Sequence, residues 1–194
     1  NNNGLAHNEA MGGLGIGMPH RFNINLQNPA WLTYNQLSSF NVGLQGESRT
    51  YKSELENASK KTGSIKHMVF FIPLLNGKWG SAFSLLPFST TQYEVSGSSE
   101  VTDATPTEST DNTFIGSGGL SQFAWSNGFR IFNSTNIGFN LMYVFGAIDK
   151  QNQSSLASDP SSIGYYTQLS SNETYKSFLF SIALAHKMKI NETL

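Results

Sequence analysis

The sequence predicts an all-β chain and, more narrowly, an antiparallel up-and-down outer-membrane β-barrel, or part of one, with a Gly-rich segment at its N-terminal side. Three observations lead there. Residues 114–150 hold two runs of period two, the signature of strands: Phe123, Trp125, Phe129 and Ile131 share one parity, and so do Ile137, Phe139, Leu141, Tyr143 and Phe145. Their alternates, such as Gln122, Ala124, Ser126, Gly138 and Asn140, are small or polar. Charged residues make up only 13% of the chain while aromatics reach 12%, a balance that leans toward a lipid-facing barrel. Finally, short and long connections alternate. A soluble sandwich also alternates along its strands, so period alone does not choose the solvent; sorted loop lengths do, because outer-membrane barrels have short turns at one end and long loops at the other.

Residues 1–37 lack alternation. Ala10-Met11-Gly12-Gly13-Leu14-Gly15-Ile16-Gly17 can lie close against other backbone, and Asn28-Pro29-Ala30 is a turn-type break. From Ser38, Phe40, Val42 and Leu44 oppose Asn41, Gly43 and Gln45, and the pattern then fades into a polar connection over 47–62. Residues 65–75 are a more uniformly apolar run whose facing is ambiguous, and Asn76-Gly77 is the strongest hairpin signal in the chain. The return strand carries Trp79, Phe83 and Leu85 against Gly80, Ala82 and Ser84, with a bulge or local unpairing expected at Pro87. Two further polar connections, 96–112 and 149–162, flank the hairpin turned at 132–136. A last run alternates Phe178, Phe180, Ile182 and Leu184 with smaller residues before a short turn at Lys187-Met188-Lys189. The count is about six strands. The three long connections are expected outside the cell and the Asn76-Gly77 turn on the periplasmic side. Phe123, Trp125, Phe139, Leu141, Tyr143, Phe178 and Phe180 are expected to face lipid, so that Arg is costly at Leu141 and mild at Asn140.

Much chemistry is excluded. A net charge of -1 without any basic run offers no footprint for nucleic acid. With no cysteine there is no disulfide, thiolate nucleophile or Cys-ligated metal. His7, His20, His67 and His186 share no metal-ligand spacing and read as surface or lumen residues. No G-x-S-x-G elbow or paired carboxylates suggest catalysis, so neither an enzyme nor a cofactor is expected. No run of about eighteen apolar residues exists to form a spanning helix, whereas a spanning strand needs only about ten residues.

The Gly-rich run at 10–17 followed by Asn28-Pro29-Ala30, then Lys78-Trp79-Gly80 with Leu86-Pro87-Phe88-Ser89, Gly116-Ser117-Gly118-Gly119-Leu120-Ser121-Gln122-Phe123 and Tyr143-Val144-Phe145-Gly146, occur in an order that resembles the FadL-type outer-membrane transporters and their relatives in Bacteroidetes. The resemblance implies a hatch over residues 1–37, a barrel over 38–194, and passage of hydrophobic small molecules. It would give Leu14, Ile16, Met18, Phe22, Asn28 and Pro29 to ligand contact. Since that family closes its barrel with fourteen strands, the chain is expected to be the first part of a longer barrel or to be completed by a partner. Some relatives act instead in protein secretion, so the alternative is a non-enzymatic platform for outer-membrane or secretion proteins.

Overall fold

A computed structural model of the chain describes residues 5–52, 57–75, 77–101, 108–157 and 166–188. Six antiparallel strands, β1 (Ser39–Lys52), β2 (Asn57–Leu74), β3 (Trp79–Val101), β4 (Glu108–Phe132), β5 (Thr135–Ala157) and β6 (Tyr166–His186), form one open sheet in the order β1-β2-β3-β4-β5-β6. A short helix α1 (Ala6–Ala10) and a 3₁₀ helix η1 (Pro29–Tyr34) precede them.

The three polar connections are much shorter than the sequence suggested. Gly46 to Lys52 pair residue by residue with Gly63 to Asn57, and β3, β4, β5 and β6 likewise run on through Ser- and Thr-rich sequence. Only 53–56, 102–107 and 158–165 separate the strands there, and these lie outside the described residues. The cause is physical: a strand with water on both faces keeps its backbone ladder but has no reason to alternate apolar with polar, so period two vanishes although the strand continues. β3 also runs unbroken through Pro87.

Two of the three short turns, those near Gly77 and at Asn133-Ser134, are where the sequence put them. Leu75 and Gly77 adopt left-handed φ of 48° and 78°, and the Lys78 amide donates to the Leu75 carbonyl at 3.1 Å; Asn76 itself lies outside the described residues. Asn133 and Ser134 alone join β4 to β5, and β6 ends at His186. Lys189, the last residue of the expected third turn, is outside the described residues.

Two compact units make up the chain. The first comprises Asn1–Pro87, Gln122–Tyr143 and Phe178–Leu194. Its sheet has two unlike faces. The small and polar parity is covered: Ala82, Ser84, Ala124, Ser126, Gly128, Asn136, Gly138 and Asn140 are all buried. The bulky parity is open, with Phe40, Phe83, Phe123, Trp125, Leu141, Phe178 and Phe180 exposed. What covers the small face is the N-terminal segment, whose Leu5, Ile24, Leu26 and Leu32 cluster with Val69, Phe71, Ala82 and Leu86 of the sheet. The second unit, Phe88–Ser121 with Val144–Ser177, is held by close backbone approach at Gly118, Gly119 and Gly146 and by polar pairs. Those pairs include Ser154 with Asn112 at 2.7 Å, and Lys150 and Tyr175 with Glu173 at 2.7 and 2.6 Å.

Candidate functional site

The covered face is built around η1. Asn28 caps it, its Oδ1 accepting from the Ala30 amide at 3.1 Å, and Pro29 takes the first helical position, where its missing N–H costs nothing. Three glycines on neighbouring strands, Gly80, Gly128 and Gly138, receive the helix. A Cβ on any of them would run into the backbone of Leu32, Pro29 or Ala30 respectively. Only glycine permits that approach, which leaves Ala30 and Leu32 with no exposed surface and Trp31 packed with Ala185 and Tyr34.

Asparagine side chains fold the Gly-rich run onto η1. Asn8 Nδ2 donates to the Leu14 carbonyl at 2.8 Å, Asn25 Nδ2 to those of Gly15 and Met18, and Asn28 Nδ2 to that of Ile16 at 3.0 Å; the Trp31 indole donates to Ile16 as well, at 2.8 Å. The residues expected to contact a ligand therefore divide. Asn28 and Pro29 are buried scaffold, whereas Leu14, Ile16, Met18 and Phe22 are exposed, Ile16 and Phe22 at 70% and 71%. Asn8 and Asn25 are not among the residues expected from sequence. Their signal lies in an Asn-rich segment with little regular secondary structure, whose backbone groups must find partners among side chains.

A second polar group ties α1 to β2. The register shifts between Gly43 and Leu44, leaving Lys66 as an extra residue, and this bulge lets Lys66 pair with Glu9. His67 is buried, its ring lying over Gly43 and its Nε2 2.6 Å from Asn41 Oδ1. That corrects the expectation of a surface residue at this position: His67 shares the covered face with Val69 and Phe71, and the glycine opposite provides room for the ring. Burial, and then the nearby His20 and His67, hold the His7 imidazole below its usual pKa, so three histidines distant in sequence share one neighbourhood. Among the described residues no three histidines or acids are arranged to hold a metal.

On the open face the rings form a continuous array. Trp79 stacks on Phe129 at 5.5 Å between centroids, Phe129 on Phe139 at 6.2 Å and Phe83 on Trp125 at 6.4 Å, while Tyr143 meets Phe178 at 4.9 Å. Two polar residues interrupt this parity, Ser81 and Asn127, and both are sealed by tryptophan. The Trp125 indole donates to Ser81 Oγ and the Trp79 indole to Asn127 Oδ1, each at 3.0 Å. The polar ends of both tryptophans thus turn toward the sheet. Phe139 and Tyr143 are half-buried among these rings, and the other five residues expected to face lipid are exposed.

Fold and faces together define an antiparallel sheet protein turned inside out relative to a soluble sandwich, its bulky face open and its small face sealed by its own N-terminal segment. The chain belongs to the BamG family, whose model matches residues 1–194. That family is associated with the outer membrane and with its protein-assembly complex, BAM. No curated protein and no solved structure matches the chain.

Membership corrects the resemblance drawn from sequence. The chain is not a FadL-type transporter, and passage of hydrophobic small molecules is withdrawn with it. Glycine runs and aromatic strand ends are demanded by any barrel-type sheet with backbone packed on one face, so they are shared by families of different function.

Proposed function

We propose that this chain is a non-enzymatic component of outer-membrane protein assembly that works through protein contacts at the BAM complex while its sheet stands in the bilayer. The observation that carries the reading is the family match over the whole chain. Support for the placement in lipid comes from the open face. Phe123, Trp125, Phe139, Leu141, Tyr143, Phe178 and Phe180 face lipid, and the two indoles donate to Ser81 Oγ and Asn127 Oδ1, oxygens that hydrocarbon could not solvate. Strands of 14 to 25 residues exceed the roughly 9–11 that a tilted strand needs to cross.

An open sheet in lipid leaves unpaired edges, each costing several kcal/mol per unsatisfied backbone group, so the sheet is closed into a barrel by further strands, its own or a partner's. Residues 5–37 act as a fixed seal against the inner wall, with Leu14, Ile16, Met18 and Phe22 turned toward the strands that complete it.

The test is affinity purification of a tagged chain from native membranes in mild detergent, with depletion alongside. Co-purification of the BAM core, and a fall in outer-membrane proteins as a class upon depletion, are expected. Purification without BAM components, with unchanged outer-membrane protein levels, would refute the reading.

A further inference from the structure

The geometry points to a binding site for a phosphate monoester, a dianion carrying an organic group, in the cleft of about 510 Å³ lined by Arg21, Thr33, Tyr34, Gln36, Pro73 and Arg130. Two arginines line one cleft, and none of its described lining residues is acidic. Like charges gathered without a counter-charge repel one another, and an anion between them reverses the sign.

Among the described residues Arg130 is positioned by neutral groups. Its Nη2 donates to the Thr33 carbonyl at 3.4 Å and its guanidinium lies over the Tyr34 ring at 5.6 Å. One of five N–H donors is used there, and no described acid pairs with the charge. The Arg21 backbone is fixed in turn, because its carbonyl accepts from Asn35 Nδ2 at 3.3 Å.

Neighbouring charges reinforce the same sign. The Arg130 amide donates to the Lys78 carbonyl and the Lys187 amide to that of Ser134, so Lys78 and Lys187 stand at the same short-turn end of the strands. Among the described acids of this unit, Glu9 is occupied by Lys66, and Glu47 pairs with Thr62 near the opposite end of β1.

Two positive charges, that of Arg130 held by Thr33 and Tyr34 and that of Arg21 on an exposed side chain, match a phosphate monoester, which carries about −1.5 to −2 at neutral pH. The cleft is too roomy for a bare phosphate, and Pro73 and the Tyr34 ring supply apolar wall for an organic substituent while Gln36 adds an amide. Two sources share this chemistry, the monoester headgroup of phosphatidic acid and a soluble organic phosphate. The inference stands on the cleft alone and survives a failure of the assembly reading.

The test uses the full-length protein in detergent, titrated with glycerol phosphate, with dihexanoyl phosphatidic acid below its micellar concentration, and with succinate, each followed by ³¹P or ¹H NMR. Glycerol phosphate is expected to bind, to weaken at least tenfold in Arg21→Gln and in Arg130→Gln, and to change less than threefold in Lys78→Gln, which lies outside the lining. Arg130→Lys, keeping the charge, should retain most of the affinity. If Arg130→Gln fails to fold, the exposed Arg21 carries the test. A preference of tenfold or more for phosphatidic acid assigns the site to a lipid headgroup and parity assigns it to a soluble phosphate, both sustaining the proposal. No binding of either phosphate, binding indifferent to both arginines, or succinate binding as tightly as glycerol phosphate overturns it.

Discussion

Replacing Gly138 and Gly128 tests whether the N-terminal segment is held by close backbone approach. A methyl at Gly138 would meet the Ala30 amide nitrogen and the Pro29 carbonyl carbon, both main-chain atoms that cannot rotate aside, and one at Gly128 would meet the Pro29 carbonyl oxygen. Overpacking of this kind costs about 1–3 kcal/mol at each position. Expelling η1 instead would expose Leu32 and Trp31, now 0% and 7% accessible, at about 1.5–3 kcal/mol for each side chain. A single Gly138→Ala should therefore leave η1 seated but strained. Gly128→Val with Gly138→Val adds to about 2–6 kcal/mol, comparable with the docking itself, and should release the segment while the strands persist. Trypsin cleavage after the exposed Arg21, with β-sheet circular dichroism in parallel, reads both events. Single and double variants should cut progressively faster at unchanged sheet content, and Gly46→Ala, whose Cβ would meet nothing within 4 Å, should behave as wild type. Equal cleavage rates in wild type and the double variant would refute the account.

Three further outcomes are expected. Leu141→Arg should cost about 2–4 kcal/mol and lower the folding yield into liposomes, whereas Leu141→Phe should not; equal yields would mean that this face does not meet lipid. Asn127→Leu strands the Trp79 indole and should cost about 1–3 kcal/mol, recovered largely in combination with Trp79→Phe; thermal denaturation of the four variants checks the coupling, and additive losses would deny the bond a sealing role. Because burial, with His20 and His67 nearby, holds the His7 pKa below the ordinary value near 6.5, the unfolded chain binds more protons there. The contribution of His7 is thus present above about pH 6.5 and lost as pH falls through its folded value. Hydrogen exchange of the Trp31 and Thr33 amides, corrected for intrinsic rates, should speed up between pH 7.5 and 5 in wild type and much less in His7→Gln, and the same acceleration in both would exclude His7.

Legibility in the sequence followed solvent contrast. Where a strand separates a ring from a small residue, as from Phe123 to Ile131 and from Ile137 to Tyr143, parity could be read directly and the covered and open faces follow it. Where both faces are wet, as over 46–48 and 61–64, no contrast exists, and the sequence pattern does not separate strand from loop. Asn140 shows a second limit. A polar residue opposite aromatics suggested water and a mild Arg substitution, yet Asn140 is buried, its Nδ2 donating to Ser181 Oγ at 3.2 Å, so Arg there is expected to be disruptive. Polarity tells which face avoids hydrocarbon, but not whether water or another part of the chain lies against it.

The same distinction explains why the fold was more legible than the site. The glycines at 80, 128 and 138 are separated by whole strands and become one surface only once β3, β4 and β5 are in register, so no local window reveals them as a seat for η1. η1, for its part, is capped by Asn28 from within its own sequence, but Ala30 and Leu32 gain burial only on that seat, and Trp31 only against Ala185 of β6. Docking of the N-terminal segment is therefore coupled to completed strand order. A segment that adds burial only to a correctly ordered sheet favours that order over a slipped register, in which side chains other than glycine would meet the Pro29 and Leu32 carbonyls and hold η1 away.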